Sequence, residues 1–281
     1  MLKYFPIILF ILLIMSCQQE GVQFKNEIKP NKKYTTHLSI SSISEVNFIA
    51  DQETLNLIES QGYKLPINTE IASEMTTEII TSERVNNYDI MAAKNYREMS
   101  SYTIINGNKK MEKSPYSGTK TLGKYNRYSK FLIDSIIGQR LTPQMRYFYN
   151  QTLAGFEKKI KFPKNIIKVG DSIINEAPLS IPIQGMDPVK AIVKTYFILK
   201  EINGNIAIFD FNQGVTLDPI WGQDNVTLTG LGKGKSEYDI EENQLTKYTS
   251  KLPMELTIGI NEKMTAKIKI SMHHDQTVTI N

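Results

Sequence analysis

The sequence predicts a mainly β protein: one large curved antiparallel sheet, a half-barrel or incomplete barrel, with one or two short helices packed on it. Three observations carry this. Apolar and polar residues alternate with period two along most of the chain, as on strands with one face in a core. Turn signals such as Asn106-Gly107, Ser114-Pro115 and Asn203-Gly204 separate these runs at short intervals. Helical periodicity is confined to two segments. A sheet of so many strands curls or closes on itself rather than lying flat.

Taken in order, the first strand is Tyr34 to Ser41, alternating and rich in Thr, Ile and Tyr. Asp51 to Ile58 reads as a short helix, with Asp51 as N-cap and Glu53 in the first turn. Strands are expected at 70–81, 86–94, 98–106 and 124–136. A second helix is expected over 142–160: Thr142-Pro143 suits an N-cap and first helical position. Met145, Phe148, Thr152, Phe156 and Ile160 then recur at steps of three or four. Lys158 and Lys159 suit the negative end of the helix dipole, and Pro163 stops it. The plain reading packs this stripe on the sheet; the sharper one makes it a lid whose Phe148 and Phe156 touch an apolar ligand. The clearest hairpin joins Val189–Leu199 to Ile206–Phe211 through Asn203-Gly204, a pair suited to a type I′ turn. Further strands are expected at 225–231, 235–241, 244–258 and 264–272. Gly230, Gly232 and Gly234 precede no helix, so the run reads as a bend or bulge and not as a phosphate cradle.

The amino terminus carries an address. Lys3 precedes about a dozen apolar residues from Tyr4 to Met15, the layout of a signal peptide and too short for a membrane span. Ile14-Met15-Ser16-Cys17 resembles the lipobox of bacterial lipoproteins, with Met15 off the usual small-residue preference. The resemblance implies cleavage between Ser16 and Cys17 and acylation of Cys17. One acyl chain gives marginal binding and two anchor stably, so the implied set of three attaches the protein to the membrane without spanning it. Cys17 is the single cysteine among 281 residues, so no intramolecular disulfide forms. Gln18 stands where an Asp would resemble an inner-membrane retention signal, which favours the outer membrane. Gln18-Gln19-Glu20-Gly21 offers one acid where surface-exported lipoproteins carry a cluster, which favours a periplasm-facing orientation. The expected organisation is a signal peptide over 1–16, a lipidated flexible tether over 17–32, and a single β-rich domain over 33–281.

Composition narrows the chemistry. The formal net charge of +4 is dispersed among acids, as on a solvated surface, and presents no nucleic-acid face. His37 reads as a mid-strand surface residue. His273-His274 are adjacent and read as surface residues; neighbours on a strand point to opposite faces, so the two imidazoles do not share a metal. No G-x-S-x-G elbow occurs. Glu241-Glu242, like Asp51 with Glu53, sits where turns or helix starts use acids. Trp221 and the tyrosines suit stacking on a sugar or filling a core, and the core reading is the commoner. No catalytic, cofactor-binding or metal-binding residue is assigned.

Pro163-Lys164-Asn165-Ile166-Ile167-Lys168-Val169-Gly170-Asp171-Ser172 resembles the P…V-x-V-G-D-S-W stretch of uncharacterised β-rich lipoproteins of Bacteroidota, with Ile173 where that pattern has Trp. The resemblance implies a curved sheet or incomplete barrel and no known activity; Gly170-Asp171-Ser172 reads as a structural turn. The expected function is a non-catalytic, membrane-anchored envelope lipoprotein that binds a hydrophobic small molecule or an envelope protein partner. The alternatives are a structural or assembly lipoprotein without a ligand cavity, and a hydrolase with a motif-free site.

Overall fold

The computed structural model describes residues 21–62, 64–85, 89–114, 116–138, 142–144, 160–181, 183, 187–219 and 225–281. Twelve strands form one sheet. They are β1 (Lys33–Ile49), β2 (Ile67–Arg84), β3 (Ile90–Ile105), β4 (Asn108–Lys113), β5 (Lys120–Tyr125), β6 (Phe131–Ile136), β7 (Ser172–Ile181), β8 (Val189–Asn203), β9 (Ile206–Leu217), β10 (Val226–Asp239), β11 (Gln244–Asn261) and β12 (Met264–Ile280). One short helix, α1 (Gln52–Ser60), follows β1. The signal peptide, Ser16, Cys17, Phe148, Phe156, Trp221 and the body of the expected 142–160 helix lie outside the described residues.

The order across the sheet is β6-β5-β3-β2-β1-β12-β11-β10-β9-β8-β7, with β4 on the far edge of β3. Every pairing is antiparallel. Two meanders are therefore welded by one long ladder, Tyr34 opposite Ile280 through to Ile49 opposite Thr265. The sheet does not close into a barrel, and its two ends are β6 and β7. The expected fold class is what the chain adopts.

One face carries the core. Along β8 and β9 the inner positions are Val189, Ala191, Thr195, Phe197, Leu199 and Ala207, Phe209, Phe211, Gln213, Val215, all buried, with exposed or half-buried residues between them. Burying a side chain such as Phe209, Leu199 or Ile258 contributes roughly 1.5–3 kcal/mol each, and all three are fully inaccessible. Such burial over one sheet requires the sheet to curl, and the strands are long: β2 and β11 run 18 residues each. The inner face holds four apolar clusters. One spans β7 to β12 around Leu256, Ile258 and Ile268; a second lies around Phe209, Phe211 and Tyr238. Two smaller ones, around Met75 and Tyr34, lie toward β1 to β6.

The segment expected to be a flexible tether is packed over its described part. Phe24 and Ile28 are buried. Phe24 stacks on Phe162 with centroids 5.1 Å apart and meets Phe209 and Tyr238 edge-on. The Tyr238 hydroxyl donates to the Lys25 carbonyl, and the Lys29 N–H donates to the Tyr34 hydroxyl at 2.8 Å. Val22 exchanges backbone hydrogen bonds with Ile167 at 2.9 Å. Two apolar anchors in a polar stretch fix it to the sheet, so a tether reading that extends to residue 32 is corrected.

The strand boundaries differ locally from the sequence reading, and two of the differences fall at β-bulges. Residues 90–94 of one expected strand and 98–105 of the next belong to a single strand, β3, whose register with β2 shifts at Thr76/Thr77. Segments 225–231 and 235–241 are likewise one strand, β10. Segment 124–136 instead divides into β5 and β6 around a turn in which the Ser129 N–H donates to the Asn126 carbonyl at 2.9 Å. The β8–β9 hairpin turns through Gly204-Asn205, because a shift at Leu199/Glu201 moves its register and sets Asn203 opposite Ile206. Positive φ falls at Gly204 (φ 56°) and not at Asn203 or Asn205, the II′ pattern rather than I′. Asp51 caps α1 as expected, its carboxylate accepting from the Thr54 N–H at 2.8 Å. Gly170-Asp171 is a structural turn: the Lys168 N–H donates to the Asp171 carboxylate at 2.8 Å.

Candidate functional site

Among the buried polar residues of the inner face, four form a belt between its two largest apolar clusters. Thr195 on β8 faces Gln213 on β9, and Ser250 on β11 faces His274 on β12. All four are buried; Thr195, Gln213 and Ser250 stand between aliphatic or aromatic neighbours of the same parity, and His274 between Met272 and Gln276. Between the two pairs runs β10, which presents Gly232 and Gly234 to the inner face. A Cβ at Gly232 would lie 2.8 Å from Leu252 Cδ1, and one at Gly234 would run into the Phe211 ring and the Thr249 carbonyl. Side chains of β9 and β11 thus meet across β10. Phe211 stacks on Tyr248 at 4.9 Å, and the Tyr248 hydroxyl is hydrogen-bonded to Ser250 and Gln213. The glycine run lies within unbroken strand, its register with β9 continuous from Gly230 to Asp239, and is not the bend or bulge expected; its consequence is to bring polar groups of non-adjacent strands together.

Burial pushes the Tyr248 phenol above its ordinary range, and the hydrogen bonds to Ser250 and Gln213 partly offset this. The phenol is therefore neutral at physiological pH, its oxygen accepting from Ser250 and Gln213. His274 stands edge-on to Tyr248, centroids 5.1 Å apart. The Gln213 amide nitrogen donates to Thr195 Oγ1 at 3.4 Å, and its carbonyl oxygen, buried, has no partner among the described residues. A cavity of about 250 Å³ lies against this belt. Its apolar wall includes Ile40, Leu179, Val193, Phe197, Leu252 and Met272.

The chemistry available is hydrogen bonding at the end of an apolar pocket. Ser250 and His274 oppose each other, yet no carboxylate lines the cavity among the described residues to complete a triad. No group of three or more metal-ligating side chains assembles among the described residues. No described helix is long and apolar enough to cross a membrane.

The histidines separate as strand geometry requires. His37 is exposed on the outer face, Nδ1 3.1 Å from Thr76 Oγ1. His273 faces outward and His274 inward, so the surface placement expected for the pair is corrected for His274. Phe148 and Phe156 lie outside the described residues, and Ile160, next after that segment, lines the cavity. Sequence reading missed Thr195, Gln213, Tyr248 and Ser250. Their signal was a polar residue at the apolar parity of a strand, visible only once that parity is fixed.

No family model matches the chain, and no curated protein matches it. Among solved structures, P47 from Clostridium botulinum A2 is similar at 8% identity, covering 82% of this chain and 80% of that one, with a TM-score of 0.16. The V. cholerae type IV competence pilus secretin PilQ matches at 6% identity over 98% of this chain and 65% of that one, TM-score 0.20. The translocator domain of the autotransporter NalP from Neisseria meningitidis matches at 6% identity, covering 96% and 94%, TM-score 0.15. Likeness at this level carries no functional argument.

Proposed function

We propose that this chain is a lipid-anchored lipoprotein of the bacterial outer membrane, facing the periplasm, whose curved sheet holds the polar end of an amphipathic small molecule. The observation that supports binding is the cavity at the polar belt: apolar walls, with Thr195, Gln213, Tyr248, Ser250 and His274 converging at one place. Ligand sites have this composition, apolar overall with a few polar groups that fix orientation. The volume of about 250 Å³ falls just short of the usual range of roughly 300–1,000 Å³. It suits the head and first carbons of a ligand rather than a whole lipid. The unpartnered Gln213 carbonyl selects a head that donates a hydrogen bond, because a buried acceptor left unpaired costs about 1–3 kcal/mol.

Ala177 lines the cavity from the exposed edge strand β7, so a large side chain there fills the space without opening the core. Ala177→Trp is expected to weaken saturable uptake of an apolar fluorescent dye at least tenfold at an unchanged melting temperature. Non-saturable uptake by the parent, or unaltered affinity in the variant, would remove the ligand reading and favour a structural lipoprotein.

A further inference from the structure

On the opposite face of the same strands, the run Gly230-Leu231-Gly232-Lys233-Gly234-Lys235 alternates, so every side chain it carries points outward. Lys233 lies directly opposite Lys251 on β11, and Lys251 opposite His273 on β12. Like charges in register across a ladder are unfavourable, and neither Lys233 nor Lys251 makes an ion pair among the described residues. The flanking lysines differ: Lys247 pairs with Glu237 at 3.3 Å, and Lys235 approaches Asp210 at 3.8 Å. Asp275 is the remaining acid of the trough these residues form, about 620 Å³ in volume.

One row further along is apolar. Pro253 opposes Ser271, and Ser271 opposes Ile43; Leu231 borders the same groove. Leu231 is 82% exposed and Ile43 54%. The next row carries a single lysine between two acids, Glu255 opposite Lys269 and Lys269 opposite Glu45, so the surplus of positive charge ends at the apolar row. A surplus basic row beside a protruding apolar row is the footprint of a protein lying on an anionic bilayer, where cations meet headgroup phosphates and apolar tips enter the acyl boundary.

We propose that the outer face of β10 to β12, with Ile43 of β1, docks on the surface of an anionic lipid bilayer. Headgroup phosphates would offset the Lys233–Lys251 repulsion that no ion pair among the described residues offsets. This rests on the outer face alone and not on the inner cavity or on Cys17. The chain lacking residues 1–20 isolates it, because all twelve strands and all four core clusters lie beyond residue 20. Co-sedimentation with phosphatidylcholine vesicles, with and without phosphatidylglycerol, is the measurement. The parent is expected to prefer the anionic vesicles. At roughly fivefold per cation, Lys233→Gln with Lys251→Gln should weaken that binding about 25-fold. Leu231→Ser should weaken it as well, while Lys190→Gln with Lys200→Gln, equal in charge but on β8, should change it little. Equal losses from the two lysine pairs would reduce the effect to net charge and overturn the proposal. So would a parent indifferent to both vesicle types, which would leave a protein as the occupant. Self-association abolished by Leu231→Ser would instead make a second copy the occupant and would equally overturn it.

Discussion

Glu78 shows how a single carboxylate can carry pH dependence in this protein. It is buried on β2, hydrogen-bonded to Lys33 and paired with Arg97 at 2.8 Å. The Lys33 ammonium, followed by the charge of Arg97, holds its carboxyl below the usual range against the opposing effect of burial. A depressed folded pKa means the stabilisation is present above the unfolded pKa of about 4.3. It is lost as pH falls through the folded value. Glu78→Gln should therefore be less stable at pH 7 and show a shallower loss of stability below about pH 4.3. Urea midpoints of parent and variant between neutral and acid pH would check this, and parallel curves would reject it. Cys17 is the other residue on which a reading turns. If its sulfur carries the lipid, Cys17→Ser abolishes both acylation and cleavage, leaving an uncleaved precursor. Metabolic labelling with an alkynyl fatty acid reads this out, and persistent labelling of the variant would end the lipoprotein assignment.

At the scale of elements, strand identity was legible and strand extent was not. Alternation over Val189 to Leu199 marks β8, because inner and outer positions differ in polarity at each step. Nothing in the alternation shows that β3 continues through Arg97 or that the Leu199/Glu201 shift relocates a hairpin. A bulge inserts one residue and flips the parity of the residues beyond it, which reads locally as the end of a strand. The hairpin offers a direct check. Gly204 holds φ at 56° with open space where a Cβ would stand. The penalty for Val there is thus conformational and not a clash. Gly204→Val should cost about 1–3 kcal/mol, measured by chemical denaturation, whereas Asn203→Ala should be milder because Asn203 lies in ordinary extended backbone. Equal costs at the two positions would place the turn where the sequence alone had put it.

For the molecule as a whole, an open sheet of this size leaves two free ends, and β7 is one of them. Pro178 sits in β7 opposite Ile192 of β8. It removes a backbone donor from a strand whose outer edge would otherwise template another chain. Pro178→Val should therefore accelerate aggregation in static light scattering at an unchanged melting temperature. An unchanged aggregation rate would show that the edge is protected otherwise.

What the sequence by itself determined is the β class, the capped helix α1, the Gly170-Asp171 turn and the placement of His273 and His274 on opposite faces. Each depends on contacts within a few residues and on the fixed period of a strand. Tertiary structure alone decided that Phe24 and Ile28 dock on the sheet. It alone decided that β1 and β12, more than two hundred residues apart in the chain, form the central ladder. The polar belt is of the same kind. Thr195, Gln213, Ser250 and His274 come from four strands, and they converge because Gly232 and Gly234 let the side chains of β9 and β11 close over β10. Local propensity is read from neighbours in the chain, whereas register and curvature are set by which faces bury one another, a property of pairs that no single segment contains.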